Sequence, residues 1–182
     1  MADPAREIAP DQGATGILRH LPRKRLNNQT IARLASSFIY VHREERIFDL
    51  QDAMRAEEEL QAVGVIDDEE RVVGIVVRRD FFAIMARPYA QDVFRNHPVR
   101  EIMATPRMFS SDANLFTVAD EIDEDMRNPG VDYYLLTYSE DRFAGIFSSQ
   151  DMLVYLSQIT QSDIAEMARR LEINIPAPMA VL

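Results

Sequence analysis

A seven-residue pattern occurs twice in the chain, and it limits the folds that the sequence can adopt. Residues 74–80 read GIVVRRD and residues 145–151 read GIFSSQD, so both copies begin with Gly-Ile and end in Asp. In each repeat, two short apolar runs flank a polar turn, and the seven-residue pattern lies at the end of the second run. An apolar run of helical length follows the pattern. This order predicts a β-hairpin followed by a helix, present twice.

The repeat extends upstream of both hairpins. Residues 30–54 align with residues 98–122, where apolar positions follow a helical period after the N-cap signal SSDA at 110–113. Each unit therefore has a helix before its hairpin and another after it. The second copy is three residues longer, and we place the extra residues near the turn-forming RNPG at 127–130.

One unit of this size buries too little surface to be stable alone, so we expect the two units to pack face to face. The 182 residues then divide into four parts. We predict an N-terminal extension that is partly disordered (1–29), a first unit with its connector (30–97), a second unit (98–157), and a C-terminal amphipathic helix and tail (158–182).

The duplicated hairpin with an Asp at the start of the following helix resembles the signature of CBS domains, which occur in tandem pairs called Bateman modules. The resemblance covers residues 30–156. It implies an α/β fold of the α+β type, with two pseudo-symmetric β-α-β-β-α units packed through their sheets and an extra C-terminal helix. It also implies a regulatory module like those of bacterial signalling proteins. Such modules bind an adenosyl ligand, such as AMP, ADP or ATP, between their units and need no obligatory cofactor.

In the family pattern, a Ser or Thr three residues before an Asp marks the nucleoside site. Ser148 and Asp151 match this pattern. The resemblance implies that Asp151 binds the ribose hydroxyls and that Ser148 contacts the ribose or a phosphate. The chemistry is suitable, because a carboxylate accepts several hydrogen bonds and a helix N-terminus attracts phosphate.

The first copy retains Asp80 but has Val77 in place of the serine. Val77 can neither donate nor accept a hydrogen bond. The neighbouring Arg78 and Arg79 can clamp phosphate oxygens, so Asp80, Arg78 and Arg79 form a possible second site.

The apolar stretches at 38–41 and 107–110 are the predicted entry strands of the two units and are expected to supply an adenine slot. For the second unit, the predicted adenine pocket consists of two residues from the 107–110 stretch and two tyrosines from the first hairpin strand: Phe109, Ser110, Tyr133 and Tyr134.

A capping box explains Ser148 and Asp151 without any ligand, because a serine at the N-cap and an acidic residue three positions later satisfy each other's backbone N–H groups. The alternative function is therefore a structural dimerisation or scaffold module. Its pockets would be closed by Tyr, Phe and Met side chains.

Other classes of function lack support in the sequence. The net charge of −10 opposes general nucleic-acid binding, and no apolar run is long enough to span a membrane. The start of the chain has no secretory signal and cysteine is absent, which favours a cytoplasmic location. No nucleophile motif is present, and the three histidines lack metal-ligand spacing, so we predict no catalytic site, no metal site and no enzyme activity.

The C-terminal region carries an apolar stripe with the spacing of coiled-coil seams, formed by Ile164, Ala168, Leu171 and Ile175. This helix is expected either to complete a homodimer or to transmit the state of the module to an output domain. The helices that follow Asp80 and Asp151 are the expected faces of a two-fold dimer.

Overall fold

The computed structural model describes residues 11–12, 16–21, 31–126 and 131–158. Its strands are β1 (Asp11–Gln12), β2 (Arg19–His20), β3 (Ile39–His42), β4 (Ala62–Ile66), β5 (Val72–Val77), β6 (Met108–Ser110), β7 (Tyr133–Thr137) and β8 (Phe143–Ser148). Its helices are α1 (Ile47–Ala56), α2 (Arg78–Met85), α3 (Ala90–Phe94), α4 (Leu115–Met126) and α5, whose described part is 149–158. Short 3₁₀ turns cover Ile31–Leu34, Val99–Glu101 and Ser139–Asp141.

The predicted β-α-β-β-α unit is confirmed and is present twice, as β3-α1-β4-β5-α2 and β6-α4-β7-β8-α5. In each unit the leading strand pairs in parallel with the first hairpin strand, and the hairpin is antiparallel. The parallel pairing requires a crossover, which α1 and α4 supply. The connector between the units contains α3.

The two units pack through their sheets, as expected. A buried apolar cluster between the sheets joins the units, and at one point the ring of Phe143 lies directly against Gly64. A Cβ at Gly64 would lie 2.6 Å from that ring, so the close approach of the sheets requires glycine there. The cluster consists of Tyr40, Ala62, Ile66, Val72, Ile75, Leu135, Phe143 and Ile146.

A pseudo-two-fold axis passes between the two hairpins. Arg71 forms a β-bridge with Arg142, its own counterpart in the repeat. The leading segment of each unit also bridges to the last strand of the other unit, Ser37 to Ile146 and Ala104 to Ile75. The leading segment of each unit therefore pairs through its backbone with the other unit.

The N-terminal extension adds two strands to the first sheet, whose order is β1-β2-β3-β4-β5. The side chain of Leu18, just before β2, is fully buried in the core of the first unit. The sequence pattern did not predict these strands. Apart from residue 158, the predicted C-terminal helix and tail lie outside the described residues. No helix in the described part of the chain is both long and apolar enough to cross a bilayer.

Asp67, at the end of β4, is a buried carboxylate held by its own hairpin. Its Oδ1 accepts hydrogen bonds from the backbone N–H groups of Glu69 (3.0 Å) and Arg71 (2.9 Å), and its Oδ2 accepts one from Arg71 Nε (3.0 Å). Burial raises the pKa of Asp67, but the hydrogen bonds from Arg71 and Glu69 outweigh burial and leave the pKa below its ordinary value.

Because the folded-state pKa of Asp67 is lowered, its ionised form stabilises the fold above the unfolded-state pKa, and this stabilisation is lost as the pH falls through the folded-state pKa. We expect Asp67→Asn to lower the free energy of unfolding by about 1–2 kcal/mol at pH 7. The difference from wild type should shrink below about pH 4. Urea unfolding of both proteins at pH 7 and pH 3 measures this, and an equal difference at the two pH values would contradict it.

Candidate functional site

The candidate site lies where the first unit's leading segment crosses onto the second unit. Ser36 and Ser37 both donate their backbone N–H groups to the carbonyl of Ile146, and Ile146 N–H donates to the carbonyl of Ser37 at 2.8 Å. Gly145 permits this approach, since its φ is +152° and a Cβ there would lie 2.8 Å from the Cβ of Ala35. The crossing brings two serines of the first unit beside the start of α5.

The capping box predicted from the sequence is confirmed at the start of α5. The backbone N–H and the hydroxyl of Ser148 each donate to Asp151 Oδ2 at 2.7 Å, and the backbone N–H of Asp151 donates to Ser148 Oγ at 3.1 Å. Ser36, from the other unit, donates its hydroxyl to the same Oδ2 at 2.8 Å. Sequence reasoning missed Ser36, which is 115 positions from Asp151.

The three donors hold the Asp151 carboxylate in a fixed orientation through one of its two oxygens. Oδ1 accepts no hydrogen bond from the described residues. A carboxylate presented in this way can accept further hydrogen bonds from a ligand that carries adjacent hydroxyls.

A cavity of about 710 Å³, called the cleft cavity below, opens in front of this carboxylate. Its volume lies within the range of small-molecule sites. The scaffold alternative predicted pockets filled by large side chains, and that prediction is wrong for this cleft. The lining residues come from both units: Ser36, Ser37, Ile39, Ala56, Glu57, Glu58, Glu59, Leu60, Gln61, Ala62, Tyr133, Ile146, Ser148 and Asp151.

Two more serine hydroxyls flank the cleft. Ser37 lines the cleft cavity, and Ser149 lines an adjoining cavity of about 410 Å³. Both oxygens are shielded from water and have no hydrogen-bond partner in the described part of the chain. Buried polar atoms are normally paired, so these two hydroxyls are exceptions beside the cleft.

Of the predicted adenine-pocket residues, the structure brings only Tyr133 to the cleft. Burial raises the pKa of Tyr133 above its ordinary value, and the charges of Asp132 and Asp151 raise it further while Arg79 lowers it. The phenol is therefore protonated at neutral pH and can donate a hydrogen bond.

The other three predicted adenine-pocket residues lie elsewhere. Tyr134 is fully buried and stacks on Phe147 at 5.3 Å between ring centroids, and Phe109 packs against both rings in the core of the second unit. Ser110 is exposed, and its hydroxyl accepts a hydrogen bond from the backbone N–H of Asp112. Ile39, Ala62 and Ile146 supply the apolar wall of the cleft cavity instead.

In the first copy, the structure separates Arg78 from Asp80 and Arg79, the other two residues of the possible second site. One guanidinium nitrogen of Arg78 donates to the carbonyl oxygens of Met54 (2.6 Å), Glu57 (3.1 Å) and Leu60 (3.3 Å). Arg78 therefore caps the C-terminus of α1. It does not line the cleft cavity or its adjoining cavity.

Arg79 lies instead next to the second-copy site. It lines the adjoining cavity together with Ser148, and it donates to Asp80 at 3.1 Å and to Asp132 of the second unit at 2.9 Å. All three side chains are more than half exposed. Exposed ion pairs contribute little stability, so Arg79 can exchange these partners for a phosphate. As expected from Val77, α2 has no side-chain cap.

A search against protein families matches residues 31–87 to the CBS domain. Solved structures extend the match to both units. CBSX2 of Arabidopsis thaliana, solved in complex with AMP, is 18% identical, with a TM-score of 0.57 and coverage of 73% of this chain and 99% of that one. The described chain has the fold of a CBS pair.

Two further solved structures are similar at comparable levels. The CBS domain of a bacterial CNNM/CorC family Mg²⁺ transporter, solved with ATP, is 15% identical, with a TM-score of 0.55 and coverage of 69% of this chain and 84% of that one. A putative acetoin utilization protein, AcuB, from Vibrio cholerae is 18% identical, with a TM-score of 0.53 and coverage of 69% and 87%. No curated protein sequence matches the chain significantly. Within its described residues, the chain has no group of three His, Cys, Asp or Glu side chains placed to hold a metal ion.

Proposed function

We propose that this CBS pair is a regulatory module that binds an adenosyl nucleotide in the cleft cavity. Asp151 would accept hydrogen bonds from the ribose hydroxyls, with Ser36 and Ser148 fixing its orientation. The observation that carries the proposal is an open cavity of about 710 Å³ facing a carboxylate oriented by serines of both units.

The rest of the cleft fits the parts of such a ligand. Tyr133 and the apolar side chains of Ile39, Ala62 and Ile146 form a slot of the kind that an adenine ring occupies. The start of α5 and Arg79, at the adjoining cavity, suit a phosphate. The complexes of CBSX2 with AMP and of the CNNM/CorC domain with ATP support this choice of ligand class.

Transmission of the signal is the second part of the proposal. A ligand in the cleft cavity would contact both units, because residues of both units line it, and it would therefore favour one relative position of the units over others. The change in relative position would be transmitted to a second copy of the chain, or to an output domain connected through the C-terminal segment. Leu153 and Val154, exposed apolar residues on α5, support a homodimer face. We place this non-catalytic module in the cytoplasm.

A scaffold module without a ligand is the second candidate, because the capping box at Ser148 and Asp151 is complete in the absence of any ligand. Calorimetric titration decides between the two. The purified protein is unfolded and refolded to remove carried-over ligand, then titrated with adenosine, AMP, ADP, ATP and S-adenosylmethionine. We expect saturable binding near one site per chain for at least one compound. No heat and no thermal shift with any of the five would overturn the sensor proposal and favour the scaffold.

A further inference from the structure

The cleft cavity has an uneven distribution of charge. Its lining includes four carboxylates, those of Glu57, Glu58, Glu59 and Asp151, and contains no Lys, Arg or His. The three glutamates form the turn after α1, which we call the acidic turn. No described cationic group lies within ion-pairing distance of any of them, although nearby Arg78 binds backbone carbonyls of this region.

The start of α5 supplies charge of the opposite sign. α5 begins at residue 149, so the positive end of its dipole lies beside Arg79 at the adjoining cavity. Arg78 caps the backbone carbonyls that end α1, so the negative charge at the acidic turn comes from the glutamate side chains. A small anionic group therefore fits at the adjoining cavity, whereas the four carboxylates of the cleft cavity repel a larger anion.

A chain that carries a net charge of −10 adds a general repulsion of anions to this local one. The acidic turn is not explained as a cation site, because no described cluster is placed to hold a metal ion. Its remaining effect is to discriminate between ligands by charge, which is a form of specificity through repulsion.

We propose that the acidic turn makes the cleft select adenosyl ligands of low negative charge. This inference rests on the proposed function. Nucleosides, nucleoside monophosphates and cationic adenosyl compounds fit the cleft, whereas a triphosphate places additional negative charge in a field that opposes it.

The test compares binding of adenosine, AMP and ATP by calorimetry in wild type and in the double variant E58Q/E59Q. Both residues are exposed, so the variant is expected to fold normally, which thermal unfolding verifies. Wild type should bind AMP more tightly than ATP. The variant should gain roughly tenfold in ATP affinity while its adenosine affinity changes less than about twofold. In wild type, the ratio of AMP affinity to ATP affinity should also decrease at high salt.

D120N/E121Q is the matched control, because it removes two exposed negative charges from α4 that do not line the cleft cavity. It should leave the ratio of ATP to adenosine affinity unchanged. Three results would overturn the inference: wild type binding ATP as tightly as AMP, an unchanged ratio in E58Q/E59Q, or ATP binding that requires Mg²⁺ and weakens in E58Q/E59Q. If adenosine itself does not bind, and neither do the other adenosyl compounds, the proposed function fails as well.

Discussion

Asp151→Ala is expected to weaken AMP binding by about tenfold or more, since the variant loses charge-assisted hydrogen bonds to the ribose hydroxyls. The same change removes the acceptor for Ser36 and Ser148, so the free energy of unfolding should also fall by about 1 kcal/mol. Titration calorimetry of ligand-free protein and parallel urea unfolding measure the two effects.

Two companion variants separate binding from folding. Asp151→Asn keeps an acceptor for the capping hydrogen bonds but loses the charge, so it should preserve stability and still bind AMP weakly. Asp80→Ala is the matched control, because Asp80 occupies the equivalent place in the first copy and bonds only to Arg79 among described residues. It should change AMP affinity by less than about twofold, because surface substitutions away from a site usually have small effects. Wild-type AMP affinity in Asp151→Ala would contradict the site assignment. An equal loss of AMP affinity in Asp80→Ala would contradict it as well.

Gly145→Ala should be the more damaging change for stability, with a loss of about 2–4 kcal/mol in the free energy of unfolding. Its φ of +152° is unfavourable for a residue with a side chain, and its Cβ would lie 2.8 Å from Ala35. Relief of that contact would push the segment at 35–37 away from β8 and separate Ser36 from Asp151. AMP affinity should therefore fall together with stability.

The repeat supplies the control for this variant. Gly74 is the counterpart of Gly145, and its φ is not in the left-handed region, but its new Cβ would lie 2.3 Å from Met103 Sδ and 2.9 Å from Met103 Cβ. Gly74→Ala should therefore also cost about 2–4 kcal/mol, but it should leave AMP affinity near wild type because it does not touch the crossing segment. Urea unfolding measures both losses of stability, provided that the slopes of the two variants are equal. An equal fall of AMP affinity in the two variants would contradict the role assigned to the crossing segment.

The duplicated pattern predicted the fold well because it encodes contacts that are local in sequence. Hairpins and helix starts follow from spacing and turn chemistry, so the strand and helix order around 74–80 and 145–151 emerged as expected. The two N-terminal strands were missed, because each has only two residues and no alternation to reveal it. No pattern in the sequence around Leu18 indicated that its side chain is buried.

The candidate site was predicted only where its residues lie close together along the chain. Ser148 and Asp151 were identified, but Ser36 joins them through pairing between units that no local pattern records. In β7, neighbouring tyrosines face opposite sides of the sheet, and the sequence does not say which faces the cleft. The two rings therefore looked equivalent, although Tyr134 is in the core and Tyr133 lines the cavity. The doublets Ser36–Ser37 and Ser148–Ser149 were a usable signal, since the first lies in the segment that bridges to β8 and the second lies at the end of β8.

The hydrogen bond between Ser36 and Asp151 also bears on how such a chain can evolve. The donor belongs to the first copy and the acceptor to the second, so neither half of the duplication contains the whole constellation. Recombination that replaces one half with that of another protein would discard one member of the pair. A chain with only one of the two copies would lack either the donor or the acceptor of this hydrogen bond.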